Sequence, residues 1–78
     1  MRELRTDKDW EDRAKGLLKA ELKLRGVTYA HLVGKLADIG VAESEPNVRN
    51  KLARGKFTAV FFLQCLEAVG CSQLNLAP

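Results

Sequence analysis

A short basic segment carries side chains suited to contacting a nucleic acid. Two amides and four cations lie within ten positions, with no acid among them: Asn47, Arg49, Asn50, Lys51, Arg54 and Lys56. An Asn amide can pair with adenine, and an Arg guanidinium with guanine, through two hydrogen bonds each. Lys and Arg also neutralise phosphates. The segment therefore combines residue types that read base edges with types that hold a phosphate backbone.

These side chains can act together only on a helix that turns them outward. Val48 and Leu52 are the only large apolar residues of the stretch, and their i, i+4 spacing predicts a narrow buried stripe. At about 100° per residue, this stripe directs Asn50 away from the core, with Asn47, Arg49 and Arg54 beside it. We predict base contacts from Asn47, Arg49 and Asn50.

A second set of residues is predicted to contact phosphates. Thr28 and Tyr29 open the preceding predicted helix, where free N–H groups and the helix dipole favour an anion. The other members are basic side chains on this helix, on the predicted helix that follows it, and just after that second helix. The full set is Thr28, Tyr29, Lys35, Lys51, Arg54 and Lys56.

Four segments repeat the 3.6-residue apolar period, and each is bounded by a capping residue and a glycine. The first helix starts at Thr6 or Asp9 and ends near Arg25. The second follows Thr28 and ends near Ile39. The third begins near Ser44–Pro46, where Pro46 favours a cap at Glu45, and it ends near Arg54; the fourth runs from Thr58 to Val69. The short link at 26–28 predicts that helices 1 and 2 pack against each other.

These elements predict an all-α fold: a compact domain of four to five helices containing a helix-turn-helix. A chain of 78 residues has room for one core, so we expect a flexible arm at residues 1–8 and a single helix-turn-helix-like domain at 9–78. Residues 72–76 alternate polar and apolar side chains. This tail could form a short strand paired with a second chain, a fifth helix or a coil.

The order of residues in several segments resembles the phage-repressor-like (Xre-type) helix-turn-helix family. The matching features are Arg25-Gly26-Val27-Thr28, Lys35-Leu36 and Arg54-Gly55-Lys56, within residues 14–70. The resemblance implies a small bacterial transcriptional regulator that binds double-stranded DNA. The chain is also similar to a small uncharacterised bacterial family with segments like GVTYAHL, NKLARGKF and FFLQCLEAVG. One departure is the longer link at 40–44, which brings Glu43 and Glu45 close to the predicted DNA site.

Composition is typical of a soluble globular protein, and its charge favours an acidic partner such as nucleic acid without demanding one. The chain is 46% hydrophobic and 29% charged, with a net charge of +3 and a pI near 9.1. No apolar run approaches the roughly 20 residues that span a bilayer, so we expect a cytoplasmic protein without membrane contact. Surplus apolar residues on helix 1, Trp10, Leu18 and Leu22, predict a homodimer. The alternative is a protein-binding adaptor that uses helix 1 or the tail.

Other polar residues favour structural roles. Glu21 falls within the apolar arc of helix 1, which predicts an ion pair with an arginine such as Arg54. His31 has no second ligand at metal-binding spacing, and no nucleophile is paired with a base. We therefore expect no metal, no cofactor and no catalysis. Cys65 lies on the core stripe of helix 4, whereas Cys71 is the more accessible thiol.

Overall fold

A hydroxyl side chain starts each of the four helices. In the computed structural model, which describes residues 5–76, the helices are α1 (Asp7–Leu24), α2 (Tyr29–Asp38), α3 (Glu45–Arg54) and α4 (Ala59–Ala68). Each cap accepts a hydrogen bond of 3.0–3.3 Å from the backbone N–H three residues on. The four caps are Thr6, Thr28, Ser44 and Thr58. The all-α prediction is confirmed.

The structure chooses between the predicted starts of α1 and α3. Thr6 caps α1, and the Asp9 carboxylate accepts from the Thr6 N–H to complete a capping box. Residues 7 and 8, predicted to lie in the arm, thus form the first turn of α1. Ser44 caps α3, and the expected cap at Glu45 is wrong because that residue is already helical. Residues 1–4 of the predicted arm and 77–78 of the predicted domain lie outside the described residues.

The helices pack in a pattern that the short first link does not predict. α1 packs against α3 and α4, and α2 packs against the same two helices. The expected direct packing of α1 on α2 is wrong, because both helices turn their apolar stripes toward α3 and α4. Leu18 and Leu22, expected to widen the surface of α1, are buried in the single core that results. The buried members of this core are Leu18, Leu22, Leu32, Leu36, Val48, Leu52, Phe61, Cys65 and Leu66.

Some apolar residues at or near the ends of the helices are exposed. Ile39 is 42% exposed because it follows the last residue of α2 and has left the helical path. Val41 packs against the core instead, and its N–H donates to the Leu36 carbonyl at 2.9 Å. Leu24 is 78% exposed at the end of α1, and Trp10 is exposed near its start, with the Arg5 guanidinium over its ring.

Cations of α1 bind the carbonyl ends of distant segments. The Lys15 ammonium donates to the Ala53 carbonyl at 3.1 Å, in the last turn of α3. The Arg25 guanidinium donates to the Val69 carbonyl at 3.2 Å, at the end of α4. Arg13 donates to the carbonyl of Leu76. Carbonyls at helix ends lack intrahelical partners. The first two hydrogen bonds satisfy such carbonyls at the ends of α3 and α4, and the third holds the tail against α1.

The structure selects among the alternatives that the sequence left open for the tail and for Glu21. Residues 71–76 form neither a strand nor a helix, and Leu74 packs partly against the core while Leu76 is exposed. Glu21 does pair with an arginine, but the partner is Arg25 at 3.2 Å and not Arg54. The i, i+4 spacing on one helix explains this choice. None of the described helices has the length and apolarity needed to cross a membrane.

Gly55, at the end of α3, lies close against the backbone of α1. It ends α3 in the left-handed conformation, with φ of 70°, and its N–H donates to the Lys51 carbonyl. A β-carbon placed on Gly55 would overlap the Glu11 carbonyl group, at 2.9 Å from its carbon atom. Only glycine allows both the turn and the backbone contact.

We predict that Gly55→Ala destabilises the fold by about 3 kcal/mol, since it adds a backbone overlap to the cost of a left-handed alanine. Gly40→Ala is the matched control: Gly40 also has a positive φ, of 83°, but it has open space around its Cα. The control should cost only about 1 kcal/mol. Urea denaturation measures both values, and equal destabilisation by the two variants would contradict the proposed contact.

Candidate nucleic-acid interface

The side of α3 opposite the core carries a continuous polar stripe. Val48 and Leu52 are fully buried, as their spacing predicts. Asn47, Asn50 and Arg54 are exposed, and at 100° per residue they fall within an arc of about 60°. We call these three residues the outer stripe. Within residues 5–76 their side chains have no hydrogen-bond or ion-pair partner, so their donors and acceptors are available to a ligand.

The C-terminal end of the outer stripe opens onto a cationic depression. Asn50, Lys51, Arg54 and Lys56 line it together. Lys56 is exposed and, like Arg54, has no carboxylate partner in the described part of the chain. Two unneutralised cations beside an exposed amide can bind an anion such as a phosphate group.

Lys51 belongs to a different environment from Arg54 and Lys56. Its ammonium lies 2.5 Å from a carboxylate oxygen of Glu43 and 4.4 Å from the centre of the Phe61 ring. The Glu43 side chain is only 11% exposed. The pair therefore fixes the link before α3 to α3 itself and to α4. In this arrangement the charge of Lys51 is largely neutralised.

Arg49 is also ion-paired, but at the surface. Its guanidinium lies 3.1 Å from the Glu45 carboxylate and 5.9 Å from the centre of the Tyr29 ring. The contact brings together a predicted base contact and a predicted phosphate contact, at the start of α2. Arg49 lies on the flank of α3, about 100° around the helix from Asn50.

The remaining predicted phosphate contacts lie on α2. The Thr28 hydroxyl accepts from the His31 N–H at 3.1 Å and so serves as a helix cap. Lys35 is exposed and lines a separate open groove beside Arg25, His31 and Asp38. The structure thus brings Tyr29 close to α3 but places Lys35 in another depression.

Sequence reasoning missed the neighbours that α1 supplies to the basic end of α3. Lys8, Glu11, Asp12 and Lys15 line a second depression together with Arg54 and Lys56. The two groups are far apart in the chain, and no periodic signal connects them. The i, i+4 spacing of Glu45 and Arg49 is a sequence signal for their ion pair. The Glu43–Lys51 ion pair has no such signal, because it depends on the path of the link between α2 and α3.

The two thiols of the domain lie in different environments. Burial, with the nearby Glu43 carboxylate, raises the pKa of the Cys65 thiol to about 12. The Cys71 thiol is half-buried and donates to the Gln73 carbonyl at 3.2 Å. Within residues 5–76 no group of three His, Cys, Asp or Glu side chains could hold a metal ion.

Comparison with known families matches most of this domain to one model. Residues 10–74 match the family described as a domain of unknown function, DUF6471. The chain belongs to this family. The matched range includes all of α2, α3 and α4 and most of α1, and the similarity to a small uncharacterised family is thereby confirmed. No curated protein and no solved structure matches the chain.

We predict that Glu43→Gln destabilises the fold by about 1 kcal/mol, because it leaves the partly buried Lys51 ammonium without its counter-charge. Glu45→Gln is the control, since its exposed i, i+4 pair should contribute less than about 0.5 kcal/mol. Urea denaturation at neutral pH distinguishes the two. Destabilisation by Glu45→Gln as large as that by Glu43→Gln would contradict a special role of the Glu43 pair.

The two thiols should differ in reactivity. In the folded state the raised pKa keeps Cys65 protonated, and thiolate is the reactive form. At pH 8 a thiol reagent should modify Cys71 much faster than Cys65, and both should react in denaturant. Because the folded pKa lies above the ordinary value, any stability from burying the neutral thiol is present below pH 9 and lost toward pH 12. Rapid modification of Cys65 in the folded protein would contradict this assignment.

Proposed function

We propose that this protein binds double-stranded DNA, with α3 in the major groove. The observation that carries the proposal is the outer stripe: Asn47, Asn50 and Arg54 share one exposed face, and within residues 5–76 none has an intramolecular side-chain partner. Polar residues on a helix that gain nothing from the fold are available for recognition. Their amide and guanidinium groups match the donor and acceptor pattern of base edges.

The dimensions of α3 suit this role. An α-helix with its side chains is about 10–12 Å wide, and the major groove is about 12 Å wide. From Asn47 to Arg54 the outer stripe extends about 10 Å along the helix axis. This length corresponds to about three base-pair steps of 3.4 Å. One α3 would therefore read a short half-site.

Flanking groups would hold the two DNA backbones. Arg54 and Lys56 form the cationic end of the interface, and neither is neutralised by an acid in residues 5–76. The N-terminus of α2, at Thr28 and Tyr29, offers backbone N–H groups and the positive end of a helix dipole. The similarity of these segments to the repressor-like family adds support. Lys35 would contact DNA only if the backbone also passes the groove along α2.

The acids near α3 weaken binding less than their positions in the sequence suggest. Glu43 is nearly buried and paired with Lys51, and Glu45 is paired with Arg49. A carboxylate with a cation at 2.5–3.1 Å presents little net charge to a phosphate several ångströms away. Both pairs are therefore compatible with DNA near α3.

Two copies of the chain are part of the proposal. A stripe that spans about three base pairs gives limited affinity and specificity, and a symmetric pair doubles both the phosphate contacts and the sequence read. In a dimer of this kind the two α3 helices would lie about 34 Å apart, one turn of DNA.

Titration of a fluorescent duplex of about 20 base pairs across a salt series tests the proposal. We expect log K to fall linearly with log salt, with two chains bound per duplex. Lys56→Ala should reduce the slope by about 0.9 for each phosphate that it leaves without a cation. Asn50→Ala should lower discrimination at one base pair by about 1–3 kcal/mol, measured on sequences selected from a random pool.

Lys23→Ala is the matched control, because it removes one exposed cation from the last turn of α1, at the end opposite to the residues beside Arg54 and Lys56. It should leave the slope and the selected sequence unchanged. Absence of duplex binding at low salt, or an equal effect of Lys23→Ala and Lys56→Ala, would refute the assigned interface.

A protein-binding adaptor is the second candidate function. Val60 and Leu63 lie three residues apart on α4 and are both exposed, and α4 has no cation. An apolar face on a domain with 29% charged residues favours contact with another protein surface. This candidate is favoured over DNA binding if the fluorescence of the duplex does not change during the titration and Leu63→Glu abolishes binding to a protein partner.

A further inference from the structure

We infer that Glu45 is an internal competitor for DNA at Arg49, and that Arg49 contacts a phosphate group after releasing this carboxylate. The inference rests on the proposed function and adds a residue to it. Neither the similarity to other families nor the spacing of polar residues assigns any part in binding to Glu45. The contact between Glu45 and Arg49, whose guanidinium also reaches the Tyr29 ring, assigns it this part.

The position of Arg49 favours a phosphate over a base edge. The residue lies about 100° around α3 from Asn50, so its side chain leaves the helix toward the flank of the outer stripe. There its guanidinium reaches the Tyr29 ring, in the first turn of α2. Free N–H groups at that helix start also favour an anion. Arg49 and the start of α2 thus both supply positive potential on this flank of the outer stripe.

The Glu45 carboxylate occupies the place that the anion would take. It accepts from Arg49 Nη2 at 3.1 Å, and both side chains are about half exposed. A carboxylate and a phosphate both present oxygen acceptors that a guanidinium binds with similar geometry. Exposed i, i+4 ion pairs are weak, and water and salt screen them further. The contact is therefore strong enough to orient Arg49 and weak enough for a phosphate to displace it.

The neighbouring Glu43–Lys51 pair shows why exchange is restricted to Arg49. Glu43 is 11% exposed, whereas Glu45 is 44% exposed. The Lys51 ammonium is also held over the Phe61 ring. Breaking that pair would leave a charge in a partly buried place, at a much larger cost. Of the two acids before and at the start of α3, only Glu45 can release its cation readily.

A double-mutant cycle on duplex binding tests the inference. The proteins are the wild type, Glu45→Gln, Arg49→Ala and the double variant, each titrated at low salt with a duplex of the selected sequence and with one of unrelated sequence. We expect Glu45→Gln to tighten binding by about threefold, and this gain should disappear in the Arg49→Ala background. Glu67→Gln is the matched control for net charge, because Glu67 is exposed on α4. Its effect should be the same in the wild-type and Arg49→Ala backgrounds.

Each alternative outcome has a distinct meaning. A gain from Glu45→Gln that persists in the Arg49→Ala background would show that Glu45 acts only as a general negative charge, and would overturn the inference. Unchanged or weaker binding by Glu45→Gln would overturn it as well. A gain confined to one selected sequence would assign Arg49 to a base edge and overturn the phosphate contact. If none of the four proteins binds duplex at low salt, the proposed function itself fails.

Thermal unfolding of the four proteins separates binding from folding. Glu45→Gln and Arg49→Ala should lower Tm by only a few degrees, since both residues lie at the surface. Binding is measured well below each Tm, so the absence of a gain in the double variant cannot reflect unfolded protein.

Discussion

The contact between the end of α3 and the backbone of α1 determines where the polar face of the protein lies. Gly55 turns in the left-handed conformation directly against the Glu11 carbonyl group, and Lys15 donates to the Ala53 carbonyl in the last turn of the same helix. Val48 and Leu52 are fully buried in the core on the inner side of this helix. Because an α-helix is rigid, fixing its inner side and one end also fixes the outer stripe.

α1 stabilises the domain in a way that also sets its charge distribution. Two of its cations, Lys15 and Arg13, and Arg25 directly after it donate hydrogen bonds to carbonyl groups at the ends of other segments. These residues contribute to the net charge but not to a free cationic surface. The cations left without a carboxylate near α3 are Arg54 and Lys56, within residues 5–76. Unpaired positive charge is therefore concentrated at the end of α3, even though the net charge of the whole chain is only +3.

The acids beside α3 have two different physical roles that sequence alone does not distinguish. Glu43 lies in a nearly buried position, where separation from its lysine partner would cost much more than at the surface. Glu45 forms an exposed pair within one helix, which water and salt weaken. The surrounding dielectric, and not the type of residue, decides which ion pair is permanent and which can exchange.

The sequence by itself determined the four helices of residues 5–76, the hydroxyl caps of α2 and α4 and the buried stripe of α3, because caps and apolar periods are local properties. It also predicted that Asn50 points outward, which follows from Val48 and Leu52 alone. Tertiary structure decided which helices pack together and which apolar residues at the helix ends stay exposed, such as Leu24 and Ile39. It alone showed that Lys51 is neutralised by Glu43, whereas Arg54 forms no ion pair within residues 5–76. Such pairings depend on distances between segments, which no local period encodes.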